Sequence, residues 1–227
     1  MTHSRTKHLT TMGMMAAMAC LVMLIRIPVM PAAPFLTYDP KDVIVVIGGF
    51  MFGPLAAVTL AAVAALVEMV TVSETGWWGF LMNFISSTAF AVPAALIYKF
   101  RRTLAGAVVG LAVGLVTVVP VMLLMNLLVV PLFMLVGPPD GRFLVPRADV
   151  ASMLLTVFLP FNAIKYSLNG AVALMVYKPV VNALVAAGLF RPPAEGGKQS
   201  VSRTVLVAAG LLILGLAATI IIMQVTS

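Results

Sequence analysis

Charge is what this sequence has least of. Asp, Glu, Lys and Arg make up 9% of its 227 residues and apolar types 62%, whereas soluble domains are about a quarter charged and about half apolar. A mean hydropathy of +1.14 excludes a water-soluble globule, because a chain this short has no interior large enough for that much apolar surface, which must face lipid. One cysteine, Cys20, inside an apolar run, excludes a disulfide framework or a cysteine metal site. Both histidines, His3 and His8, fall in the polar N-terminal stretch. No His/Asp/Glu cluster therefore sits at membrane depth for metal or acid–base catalysis. The sequence holds no G-x-x-x-x-G-K-S/T loop to cradle nucleotide phosphates and no G-x-S-x-G elbow. No internal repeat supports an inverted-repeat transporter. These absences predict a membrane protein that is not an enzyme, has no catalytic or metal site, and lacks an energy source of its own.

What is present is a series of apolar runs at residues 12–27, 43–52, 55–72, 79–98, 104–136, 153–177 and 205–225. The second is too short to span alone, since about 20 residues are needed. Merging it with the third would place Lys99, Arg101 and Arg102 outside if the N-terminus is inside. Two helices joined by a tight Gly53-Pro54 turn place them inside, as the positive-inside rule requires. Nine basic residues (Arg5, Lys7, Lys99, Arg101, Arg102, Lys178, Arg191, Lys198, Arg203) then lie on the cytoplasmic side. Lys41, Arg142 and Arg147 lie in outer loops with Asp39, Asp42, Glu74, Asp140 and Asp149. The net charge of +7 thus marks a membrane surface as the acidic partner, with no basic, aromatic-interleaved stripe for nucleic acid. Arg5 and Lys7 precede the first run, but Pro28 and Pro31 follow it in place of a cleavage site, which predicts a retained helix. The fifth run exceeds one untilted span, so Pro120 and Pro131 are expected to bend or end it. A polar linker, AEGGKQSVS at 194–202, sets the last run apart. The expected organisation is a six-helix membrane domain at 1–193, a linker at 194–204 and an appended transmembrane helix at 205–227, its end outside.

Polar residues inside the runs are few: Glu68, Asn83, Asn126, Asn162, Lys165 and Asn169. Each is expensive in hydrocarbon unless it faces a cavity or a partner. Asn162 and Lys165 are one helical turn apart and share a face just after Pro160. Three amides and one ammonium converging on an outward-opening pocket suit a neutral solute rich in hydroxyls or amides. The plainer alternatives are amides bonding between helices, Lys165 snorkelling to the interface, and Glu68 pairing with a bundle neighbour. The first loop, VMPAAPFLTYDPKD at 29–42, is restrained by three prolines. It is either a lid whose Phe35 and Tyr38 cover a flat aromatic ligand or a plain connection capped by Asp39 or Asp42. Trp77 and Trp78 read as interfacial anchors. Small residues form close-approach stripes at Gly13, Ala16, Ala17 and Cys20, and again at Gly106, Gly110 and Gly114, for packing within the bundle or against another protein.

Three strings, FLTYDPKDVIVVIGGFMFGPLAA, EMVTVSETGWWGFLMNFISSTAFAVPAALIY and LPFNAIKYSLNGAVALMVYK, resemble the riboflavin-specific S components of energy-coupling factor (ECF) vitamin transporters. The resemblance is dense over 35–98 and 159–178. It implies an all-α membrane fold of six helices with a short second helix, and a flavin pocket under the first loop. It also implies three partner subunits, a transmembrane coupling protein and two ATPases, and riboflavin as cargo rather than cofactor. Lys165 and Asn162 of the PFN-x-x-K string, and Asn126, match ligand-contacting positions of the family; Asn83, Phe35, Tyr38, Asp39 and Lys41 join them as candidates. The family's Ala-x-x-x-Ala docking pair reads Gly13 and Ala17 here, beside Ala16 and Cys20. Thiamine or biotin on the same scaffold, and a redox protein holding its flavin permanently, are the rival readings.

Overall fold

The computed structural model describes residues 2–29, 36–73, 75–133 and 147–190. Its helices are α1 (Thr2–Val22), α2 (Lys41–Phe52), α3 (Pro54–Thr71), α4 (Gly76–Phe100), α5 (Leu104–Phe133), α6 (Arg147–Met153) and α7 (Leu159–Ala186). A π-helical segment, Leu154–Phe158, joins α6 to α7 in one rod, so the described chain makes six helical rods, as expected. Four of them, Pro54–Thr71, Gly76–Phe100, Leu104–Leu132 and Arg147–Ala186, are long and apolar enough to cross a membrane. The expected linker and seventh helix lie outside the described residues.

The boundaries depart from the apolar runs at both ends of the bundle. Helix α1 begins at Thr2, ten residues before the first run, and ends at Val22. Its polar first turns are held by the far end of the chain: Lys7 Nζ donates to the Gly188 carbonyl at 3.2 Å and Thr11 Oγ1 to that of Leu189 at 3.1 Å. His8 packs edge-on to Phe52, 4.6 Å between centroids, and Phe52 packs on Phe190 at 5.3 Å. After Val22 the chain turns extended. Strand β1 (Ile27–Pro28) pairs antiparallel with β2 (Thr37–Tyr38), Ile27 opposite Tyr38. Two-residue strands carry no periodic signal, and the sequence did not reveal this hairpin.

Helix α2 sits at the centre. It is apolar on every side and buried from Lys41 to Met51, the condition of a helix enclosed by others. Gly49 permits the approach: a Cβ there would lie 3.0 Å from the Ala95 methyl and 3.1 Å from that of Ala57. The turn into α3 needs glycine for another reason, since Gly53 has φ 95°, a conformation open to residues without a Cβ. Pro54 then opens α3, where its missing N–H costs nothing.

Helices α4 and α5 meet through small residues, and the glycine stripe of α5 is used inside the bundle. A Cβ on Gly110 would lie 2.7 Å from the Ala94 carbonyl oxygen, and one on Gly114 would overlap the Phe90 carbonyl. Helix α5 runs on through Pro120 and includes Pro131, so of the two expected outcomes, a bend or an end, Pro120 does not end it; neighbouring helices support the freed carbonyl in such settings. Gly110→Leu is expected to destabilise the fold by about 1–3 kcal/mol through overpacking. Thermal unfolding in detergent checks this, and an unchanged transition would mean that α4 and α5 can part without cost.

Candidate functional site

A cavity of about 410 Å³ opens between the β1–β2 hairpin and the ends of α3, α4, α5 and α7, within the ~300–1,000 Å³ typical of small-molecule sites. The α7 side is shaped by the π-helical turn, which widens the helix ahead of Pro160, a distortion that often marks functional positions. One turn on, the Asn162 amide nitrogen donates to the Phe158 carbonyl at 2.7 Å. Across the cavity, the Asn126 amide nitrogen donates to the Met122 carbonyl, also at 2.7 Å. Lys165 is 7% exposed and does not snorkel; its Nζ lies 2.7 Å from Asp39 Oδ2.

Asp39 leads into a chain of buried charges. Its Oδ1 accepts from the Lys41 backbone N–H at 3.3 Å and lies 3.2 Å from Lys41 Nζ. Lys41 Nζ also donates to Glu68 Oε2 at 2.9 Å and to Asn83 Oδ1 at 3.2 Å. Glu68 Oε1 in turn accepts from the Arg26 guanidinium at 3.2 Å. Arg26 precedes β1 and Asp39 follows β2, so the chain of pairs fastens both feet of the hairpin to the bundle. Burial alone would push the Asp39 carboxyl up, but the Lys165 and Lys41 ammonium groups outweigh it and hold the carboxyl well below the usual carboxylate range. A depressed carboxylate contributes its stabilisation above its unfolded-state value, here 3.8, so these pairs persist at neutral pH and fail only in strong acid. Asp42, fully buried, accepts a short hydrogen bond from the Ser87 hydroxyl.

The structure brings Asn83, Asn126, Asn162, Lys165 and Asp39 to the cavity wall. It keeps Tyr38 and Lys41 buried but outside that wall, and Phe35 lies outside the described residues. Asp39, Lys41 and Asp42, placed in the outer loop by the sequence, are enclosed by the bundle at 6%, 1% and 0% exposed, and Lys41 and Asp42 belong to α2. The cap position of α2 is Pro40, which has no side-chain acceptor to give, and Asp39 just before it accepts from the first backbone N–H of the helix, that of Lys41. Glu68 does pair within the bundle, with two cations rather than one. Arg26, Thr75, Ser86 and Tyr166 also line the cavity and were missed. On α1, Gly13 has nothing near its missing Cβ and Ala17 is exposed, whereas Ala16 and Cys20 are half-buried, Ala16 against the core.

The sequence and the fold have counterparts in known proteins. A family model described as "ECF transporter, substrate-specific component" matches residues 7–177. This chain belongs to that family. It is therefore a membrane-embedded transport component and not an enzyme. The solved S component of a bacterial ECF transporter superposes with a TM-score of 0.65 at 26% identity, covering 79% of this chain and 98% of that one. Among curated relatives, the riboflavin transporter RibU of Staphylococcus aureus is 28% identical over 79% of this chain and 93% of its own length. The riboflavin transporter FmnP of Bacillus subtilis is 28% identical over 71% of this chain and 85% of its own.

Proposed function

We propose that this S component captures riboflavin from outside the cell and hands it to a separate energising module, a coupling subunit with two ATPases. The observation that carries the reading is the composition of the cavity wall. Three asparagines and Lys165 face one space, and the charges around it balance: Arg26, Lys41 and Lys165 against Asp39, Asp42 and Glu68. A balanced site suits a neutral, hydroxyl-bearing solute, since a phosphate would bring charge where Arg26, Lys41 and Lys165, the cations at the site among the described residues, are already paired. The ring of the vitamin would lie against Met82, Met122, Val130 and Phe161 with one edge at Asn83, and its ribityl hydroxyls would bond to Asn126, Asn162 and Lys165. Polar groups left unpaired by a solute without those hydroxyls would reject it. The naming of the curated relatives supports the same vitamin.

Titration of flavin fluorescence with purified protein in detergent tests the assignment. Saturable quenching at one riboflavin per chain is expected, with thiamine and biotin inert and riboflavin 5′-phosphate at least about tenfold weaker, the equivalent of ~1.4 kcal/mol. Quenching by neither flavin would overturn it. Flavin that survives exhaustive washing and responds to a reductant would instead favour a redox protein.

The N-terminus is assigned to the cytoplasm. With Lys41 removed from the outer loops by its burial, nine cytoplasmic basic residues face two outside, Arg142 and Arg147. Residues 1–193 then form the binding domain, and the helix at 205–227 is an appended anchor ending outside. The open face of α1 at Gly13 and Ala17 is the docking surface for the coupling subunit. Gly13→Leu is expected to leave riboflavin binding intact while abolishing co-purification with the coupling subunit and uptake; uptake at the wild-type rate would move the docking surface elsewhere.

A further inference from the structure

Building on the vitamin reading above, we propose that Lys41, although outside the cavity wall, sets the hydrogen-bond polarity of the site by fixing the amide of Asn83. Helix α4 then offers a ligand a donor, while α5 and α7 offer acceptors.

The chemistry of the neighbours determines each orientation. An ammonium only donates. Lys41 Nζ lies 3.2 Å from the Asn83 side chain, so the group facing it must be the amide oxygen, because the reverse orientation would set NH2 against NH3⁺. Lys41 is itself held in place, with Glu68 Oε2 at 2.9 Å and Asp39 Oδ1 at 3.2 Å. Its three hydrogens therefore have three acceptors and no reason to turn. The Asn83 NH2 is left for the cavity, and among the described residues it has no acceptor.

Asn126 and Asn162 are fixed in the opposite sense. Each faces a backbone carbonyl at 2.7 Å, and a carbonyl only accepts, so each spends its NH2 there and keeps its amide oxygen for the cavity. Neither oxygen accepts a bond among the described residues. Both side chains are buried, 4% and 2% exposed, so a mismatched ligand group could not be rescued by water.

Hydroxyl groups can donate or accept and fit either wall. A ring carbonyl or unprotonated ring nitrogen can only accept, and is the kind of group this polarity sorts. A flavin is therefore bound with an acceptor of its ring toward Asn83 and with hydroxyl or N–H hydrogens toward Asn126 and Asn162. Lys41 acts as a positioning residue, reaching the ligand only through Asn83.

The test compares riboflavin with 2-thio- and 4-thioriboflavin, whose sulfur is a poor acceptor, in wild-type protein, Asn83→Asp and Lys41→Arg. Asp has the size of Asn but, ionised beside Lys41, no hydrogen to give. Wild-type protein is expected to bind one thio analogue about tenfold more weakly than riboflavin, the loss of one hydrogen bond. In Asn83→Asp, riboflavin itself should weaken about tenfold and the difference between oxygen and sulfur should vanish. Lys41→Arg, whose guanidinium also only donates, should keep the wild-type preference, and its loss there would overturn the assignment; if that variant does not fold, the Asn83→Asp comparison decides alone. A thio penalty of the same size in wild type and Asn83→Asp, or no penalty in wild type, would overturn the polarity assignment while leaving riboflavin as the ligand. Wild-type protein that fails to bind riboflavin would overturn both.

Discussion

Replacing Lys165 and Asn162 together by alanine is expected to weaken riboflavin binding by about 30- to 1,000-fold. A hydrogen bond to a charged group contributes about 1.5–3 kcal/mol and one between neutral groups about 0.5–1.5, with each 1.4 kcal/mol worth a factor of ten. The two side chains rise from the same face of α7, one turn apart, and both line the cavity. The fold should tolerate the change, because Asp39 keeps Lys41 as a counter-ion at 3.2 Å. Fluorescence titration of the folded double variant measures the loss. Affinity within a few-fold of wild type would remove both residues from the binding role.

Lys41→Met should have a larger effect on folding than on any other property. Lys41 is the shared partner of Asp39, Glu68 and Asn83 and is 1% exposed. Removing one member of a buried pair costs about 3–5 kcal/mol, and because Asp39 keeps Lys165 and Glu68 keeps Arg26 the loss here should fall toward the lower end. That is a large share of a typical folding margin of about 5–15 kcal/mol. Size-exclusion profiles in detergent should show aggregated or poorly expressed protein. Adding Glu68→Gln should cost less in the Lys41→Met background than in wild type, because it removes a carboxylate that has already lost one of its two cations; strictly additive losses would show that Lys41 and Glu68 do not act as a pair.

Both experiments turn on residues whose visibility in the sequence differed greatly. Asn162 and Lys165 stood out because polar groups in an apolar run need a reason to be there, and their spacing put them on one face. The short second helix was legible for a similar cause, since only a turn at Gly53-Pro54 distributed the flanking charges sensibly. Lys41 was misread because it stands at the edge of an apolar run, in the string YDPKD, where charge normally means solvent. Glu68 held the missing clue: a carboxylate deep in an apolar run calls for a cation, and Lys41 and Arg26 were the nearest run-end candidates. The pairing depends on α2 folding back against α3, a tertiary fact that local pattern does not carry. The β1–β2 hairpin and the π-helical turn were invisible for the same reason, both being set by packing around the cavity rather than by any repeat of residue types.

That fold-back also bears on how the chain enters the bilayer. At 12 residues, α2 rises only about 18 Å at ~1.5 Å per residue, too little to hold itself across a hydrocarbon core of ~30 Å. It must await α3 and go in with it as a unit, the Gly53-Pro54 bend staying at the cytoplasmic side. Lys41 opens α2 and Glu68 lies in the last turn of α3, so the two charges meet at the outer end of the hairpin, the end that crosses first, and neutralise each other there. The insertion machinery thus receives one nearly neutral two-helix object rather than two segments each carrying an unaffordable charge, and α3 must leave the ribosome before α2 is committed to the membrane.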